Sequence, residues 1–183
     1  MKSIAITGHR PDAFLVSHYS PETVKMLAEN MVVAYKREYD ELNFYLGGAI
    51  GADQWVGEAC IEHNVSYELV LPFSDEIQAK YWNDEQKAEL QRQYQHAKGI
   101  CIIDPSGNYS VGTYMQRNKK MVDLADFVVA FWVGKRRGGT FNAIQYALRQ
   151  NKTVLNALNE LRPIFKEDLK KGWTPPTMVN NNE

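Results

Sequence analysis

No run of about 18 uninterrupted apolar residues occurs in the chain, so no membrane-spanning helix is expected. The first ten residues, MKSIAITGHR, have neither the apolar segment nor the cleavage site of an export signal, and a cytoplasmic location is expected. Cysteine is scarce. Cys60 and Cys101 are the only two, far apart and without CxxC spacing, which excludes a thiolate metal knot and favours free, buried thiols over a disulfide. With no HxxxH pair among four histidines, no metal site is expected. Excess charge of either sign is also missing. A net charge of -1 provides no general field for nucleic acid or an anionic membrane, so any anion site must be local. The Gly-Lys-Ser/Thr of a P-loop is absent, and no cofactor is expected. No composition break divides the chain, so one domain over residues 1–183 is expected, with the polar end finishing NNNE frayed.

What is present is alternation. SIAIT (Ser3 to Thr7), Asn43 to Leu46, Ser66 to Leu71, Gly99 to Asp104, Phe127 to Val133 and TVLNAL read as strands, apolar almost throughout. Between them lie helical stretches. One opens at SPET, with Ser20 as cap and Pro21 in its first turn, and continues through Val24, Leu27, Ala28, Met31 and Tyr35 at helical spacing. Others cover Asp53 to His63, part of 75 to 97, Gly112 to Asp126 and Gly138 to Asn151. Apolar strands separated by helices predict an α/β fold, a doubly wound, mainly parallel sheet with helices on both faces. Ligands in such sheets bind beyond the carboxyl ends of the strands, where the strand order reverses.

The loops after the strands hold the candidate residues. Gly47, Gly48 and Gly51 sit between a strand and a helix, where absent Cβ atoms allow tight turns and backbone N–H groups can meet a phosphate at the positive helix end. RRGGTFNA repeats the pattern, with Gly138, Gly139 and Thr140 at a helix start behind two guanidiniums, and GHRP adds Gly8, His9 and Arg10. A glycine turn is common in any α/β protein; three on one edge point to a phosphate. GGAIGA has no acid at the end of the next strand, so a dinucleotide site of the usual kind is not expected.

Asp53 suits ribose hydroxyls and helix capping equally. Glu58, a turn further on, is a candidate catalytic carboxylate or a solvated helix position. Arg117 and Asn118 interrupt an amphipathic helix whose buried stripe is read as Met115, Val122 and Ala125. They can face the crevice or form an exposed pair. Trp55 and Trp82 can stack on a base, though aromatics at helical spacing usually serve the core. His18, His63 and His96 read as surface positions.

TGHRP, GGAIGADQW with GEA after it, LPF followed by YWN, QRNKKMVDLADFVVAFW and the glycine pair before the last strong helix, in this order, resemble the YpsA-like family. That family belongs to the SLOG superfamily, which also groups the DNA-processing protein DprA and the LOG phosphoribohydrolases. The resemblance spans Ile4 to Leu155 and implies a Rossmann-like fold with a pocket for a nucleotide or nucleotide-derived ligand. LOG enzymes share a PGGxGTxxE motif whose glutamate acts at the N-glycosidic bond. Here Gly138, Gly139 and Thr140 keep the phosphate half, while Asn142 and Ala143 stand where the acids would fall, and asparagine exchanges no proton at neutral pH.

The expectation is therefore a binder or sensor that holds a nucleotide or nucleotide-sugar phosphate between Gly47 to Gly51 and Gly138 to Thr140. Arg10 and Arg117 neutralise it, with Arg117 directed into a pocket shared with Gly48 and Gly139. Asp53 and Asn118 meet the sugar, and Trp55 or Trp82 borders the base. Alternatives are N-glycosidic hydrolysis through Asp53 or Glu58, and single-stranded DNA binding, which the acidic pI and the lone Lys135 to Arg137 cluster disfavour. A homo-oligomer is compatible with the sequence.

Overall fold

The structure is a computed structural model and describes residues 1–107 and 110–171. Its centre is a seven-stranded sheet of β1 (Lys2–Gly8), β2 (Leu42–Leu46), β3 (Ser66–Leu71), β4 (Gly99–Ile102), β5 (Phe127–Phe131), β6 (Val154–Asn156) and β7 (Arg162–Pro163). The spatial order is β4-β3-β2-β1-β5-β6-β7, parallel throughout except for antiparallel β7. The chain builds outward from β1 to β4, returns across the sheet and continues from β5, so the order reverses between β1 and β5.

The near-continuous apolar strands follow from burial on both faces. In β1, Ile4 and Ile6 point into one core and Ala5 into the other; in β5, Val129 and Phe131 alternate with Val128 and Ala130 in the same way. The first core is closed by α2 (Pro21–Glu38) and α3 (Ala52–Glu62), the second by α6 (Val111–Leu124) and α7 (Gly139–Arg149). Each fully buried Leu, Ile, Val or Phe in these cores contributes about 1.5–3 kcal/mol. Cys60 is buried, Cys101 is half-buried, and both are free. No described helix is long and apolar enough to cross a membrane.

Three short elements depart from the expected pattern. Pro11–Val16 is a six-residue helix, α1, in a stretch that reads as loop: Pro11 starts it, but it is too short to show a period. The polar 75 to 97 region, in contrast, forms two helices within the one or two expected there, α4 (Asp75–Gln78) and α5 (Asp84–His96), the latter opened by a capping box in which Asn83 accepts from Gln86 N–H and Gln86 reaches back. Beyond β6 the chain forms β7 and α8 (Lys166–Lys171); the expected frayed end, 172–183, lies outside the described residues.

Candidate functional site

Because the strand order reverses between β1 and β5, their outgoing loops diverge and open a crevice of about 310 Å³. Its walls come from the loop after β1, the turn entering α3, the first turns of α6, the loop after β5 and the start of α7.

Arg117 lies at the centre. Ser110 caps α6 by accepting the Gly112 N–H at 3.1 Å, and the helix rolls so that Thr113, Arg117 and Met121, four residues apart, form its buried row. Arg117 is therefore in the buried stripe and only 8% exposed, whereas Met115, expected in that stripe, is 42% exposed. The Arg117 side chain passes over Tyr114, with Cζ 6.0 Å from the ring centroid. Nη1 stands 3.7 Å from Asp53 Oδ2, an ion pair too long for a hydrogen bond. Its Nε and Nη1 have no hydrogen-bond acceptor among the described residues.

Asp53 accepts the Ala49 N–H at 3.2 Å through the oxygen that faces Arg117. Burial lifts its pKa above the ordinary carboxylate value, opposed first by the Arg117 guanidinium and then by the N–H groups of Ala49 and Gly47. Burial likewise works against the Arg117 cation and lowers its pKa, with Asp53 as the largest opposing influence; arginine nevertheless stays charged. Asp53 thus buttresses Arg117. It is not the cap of α3, since Gly51 occupies that position and no side chain caps the helix.

Gly47 is required by close approach: a methyl group there would overlap Arg117 Nη1 and crowd Asp53. Gly51 (φ +99°) and Gly138 (φ +90°) hold left-handed conformations at the starts of α3 and α7, where a side chain would be strained. Gly8, His9, Arg10, Asn118, Gly139 and Thr140 line the crevice with Arg117 and Asp53, and Asn118 Nδ2 donates to the Gly139 carbonyl at 3.3 Å. His9 is 8% exposed and its Nε2 has no partner among the described residues. Burial, then the nearby Lys135 charge, push its pKa down to about 4, so the imidazole is neutral at pH 7.

Other candidates lie elsewhere. Gly48 faces Leu71 and Leu90, and its carbonyl accepts from Gln78 Nε2 at 2.8 Å, so Gly47 and Ala49 rather than Gly48 face the Arg117 side. Glu58 pairs with Lys25 at 2.7 Å in a groove between α2 and α5. Five residues beyond Asp53, it lies about 140° around the helix axis from it. Trp55 borders that same groove and packs on Phe14 with ring centroids 5.8 Å apart. Trp82, in the turn after α4, lines no part of the crevice. Conversely, Asp12 and Tyr114 line it without being singled out by the sequence, Lys135 stands out there only as part of a basic cluster, and Gln78 braces the glycine turn from behind. Lys135 is visible in retrospect as a cation in the loop after a central strand; Tyr114 is legible only as the residue three before Arg117 on one helix face.

The YspA SLOG family model matches residues 4–159. The chain belongs to the YspA SLOG family. A relative, the uncharacterized SPbeta prophage-derived protein YoqJ of Bacillus subtilis (strain 168), is 26% identical over 144 residues, covering 71% of this chain and 82% of YoqJ. Among solved structures, DprA from Streptococcus pneumoniae aligns with a TM-score of 0.59 at 18% identity, over 85% of this chain and 50% of that one. DprA from Helicobacter pylori, described for its single-stranded DNA binding mode, aligns with a TM-score of 0.62 at 18% identity, over 85% of this chain and 64% of that one. This family member thus shares the Rossmann-like fold of DprA and spans half to two thirds of those chains.

The buried His9 makes this SLOG protein sensitive to acid. A folded-state pKa of about 4 against the ordinary 6.5 means that the unfolded chain binds the proton first. Stability is therefore complete above pH 6.5 and falls as pH drops towards 4, by about 2 kcal/mol at pH 5. Urea midpoints at pH 7 and pH 5 should differ more for the native chain than for His9→Gln, which cannot titrate; equal differences would show that His9 is protonated without cost.

Proposed function

We propose that the chain is a binder or sensor of a nucleotide or nucleotide sugar, with a phosphate seated on Arg117 in the crevice between β1 and β5. The observation that supports this most is a buried guanidinium whose Nε and Nη1 lack acceptors at the edge of a cavity. Leaving such donors unpaired costs about 1–3 kcal/mol or more each, and a phosphate supplies charged acceptor oxygens to a guanidinium. The starts of α3 and α7 open on the same crevice and add their positive ends.

Binding is favoured over hydrolysis because, among the described residues, Asp12 and Asp53 are the carboxylates that line the crevice, and Asp53 is engaged by Ala49 N–H and Arg117. Nucleic acid is the partner suggested by the likeness to Helicobacter pylori DprA. It would call for stacking aromatics along a basic groove, whereas Tyr114 is the one Phe, Tyr or Trp among the described residues that line the crevice.

A thermal-shift screen of nucleotides and nucleotide sugars tests the reading. A ligand at 100 times its Kd adds about 2.7 kcal/mol, raising Tm by about 5 to 10 °C for a chain of this size. The shift is expected for phosphorylated compounds and not for the parent nucleosides. Equal shifts with nucleosides, release of free base during incubation, or a shift confined to oligonucleotides would contradict it.

A further inference from the structure

The crevice carries its cations at two depths. Arg117 forms the floor, enclosed by Gly47 and buttressed by Asp53. Arg10 and Lys135 are exposed and belong to the rim, one from each of the two loops that frame the opening. Neither pairs with a carboxylate within ion-pair distance among the described residues. The loop of Lys135 is held in place, because its carbonyl accepts the ring N–H of the fully buried Trp132 at 2.9 Å.

The two levels are electrically distinct. Of the influences on Arg117, Arg10 is the smallest, after burial, Asp53 and Tyr114. Lys135 acts instead on the His9 imidazole. The crevice is therefore lined by one buried cation, Arg117, and two exposed ones, Arg10 and Lys135, with Asp12, among the described residues, its carboxylate besides Asp53. A volume of about 310 Å³ is also far more than one tetrahedral oxyanion fills.

We propose that the site takes a diphosphate ester, with its inner phosphate on Arg117 and its outer phosphate between Arg10 and Lys135. This rests on the reading of Arg117 as a phosphate seat and adds the ligand class. A second phosphate gives the two exposed, unpaired cations an anionic partner through charge-assisted hydrogen bonds. The neutral His9 imidazole lines the same crevice and adds a hydrogen-bonding group without adding charge.

Titration of the full chain with inorganic phosphate and inorganic pyrophosphate, at matched ionic strength, tests this. Pyrophosphate is expected to bind at least tenfold more tightly than phosphate. Arg10→Ala and Lys135→Ala should each lower that preference at least threefold, whereas Arg117→Lys should weaken both anions. Arg136→Ala removes an exposed neighbouring cation that does not line the crevice and is expected to leave the preference intact. Equal affinities for the two anions, both still sensitive to Arg117→Lys, would overturn the diphosphate proposal and leave the phosphate seat standing. A preference lowered as much by Arg136→Ala as by Lys135→Ala would reduce it to net charge and overturn it as well. Binding of neither anion, or binding indifferent to Arg117→Lys, would overturn the phosphate seat itself.

Discussion

Gly47→Ala is expected to weaken phosphate-ligand binding by about tenfold or more while leaving the protein folded. Gly47 is not among the glycines with positive φ, so alanine can adopt its backbone conformation. The new methyl group, however, occupies the position of Arg117 Nη1 and sits within 2.8 Å of Asp53 Oδ2. The guanidinium is the far end of a flexible stem and can swing out, so the sheet survives and the floor cation is lost. A charge-assisted hydrogen bond contributes about 1.5–3 kcal/mol, so affinity should fall by tenfold to more than a hundredfold. The change in unfolding free energy should stay within about 1 kcal/mol, because expelling a buried cation also relieves its desolvation. Calorimetric titration alongside urea unfolding separates the two effects. Unchanged affinity would show that the buried position of Arg117 is not used.

Trp132→Ala should have the largest effect on stability. Trp132 is fully buried at the end of β5, and its ring N–H holds the Lys135 carbonyl. Its backbone is tied to β6 by Asn156, which accepts the Trp132 N–H at 3.3 Å and donates to the Trp132 carbonyl at 3.0 Å. Truncation leaves a cavity and an unpaired carbonyl, a loss of about 3–5 kcal/mol. Since the same loop leads to Gly138 and α7, ligand affinity should fall with it. Trp132→Phe keeps most of the volume and should lose about 1–2 kcal/mol, reflecting mainly the missing N–H. A loss below 1 kcal/mol for Trp132→Ala in urea unfolding would show that this corner of the sheet repacks freely.

The sheet was legible because burial on both faces leaves a run of apolar residues that no exposed segment imitates. FVVAF, buried at every position, needed no partner to be recognised as a strand. Short elements were not legible. The six residues of α1 and the two of β7 complete too little of a period, and their positions follow from packing. The glycine turns after β1 and β5 lie where the strand order reverses, and the turn after β2 reaches the same crevice through Ala49 and Asp53.

Which residues of α3 face that edge was not legible. Asp53, Trp55 and Glu58 are close in sequence, yet helical rotation sends the last two to the α2 and α5 side. Arg117 shows the opposite limit. It is expected to turn towards the crevice from beside its helix's buried stripe, and it is instead part of that stripe, in the row Thr113, Arg117, Met121, where Asp53 from another helix offsets the cost. That pairing joins residues 64 positions apart and leaves no local pattern in the chain.

The most direct test of the account is the affinity of Arg117→Lys for the phosphorylated compound that gives the native chain its largest thermal shift. Lysine keeps the charge but replaces a planar fork with a single ammonium, which cannot donate two parallel hydrogen bonds to one phosphate. A phosphate gripped by two edges of the Arg117 fork predicts a loss of about 1–3 kcal/mol in binding free energy, a Kd roughly five- to 150-fold higher, with the urea midpoint close to that of the native chain. An unchanged Kd for Arg117→Lys would place the phosphate away from Arg117 and contradict the account at its centre.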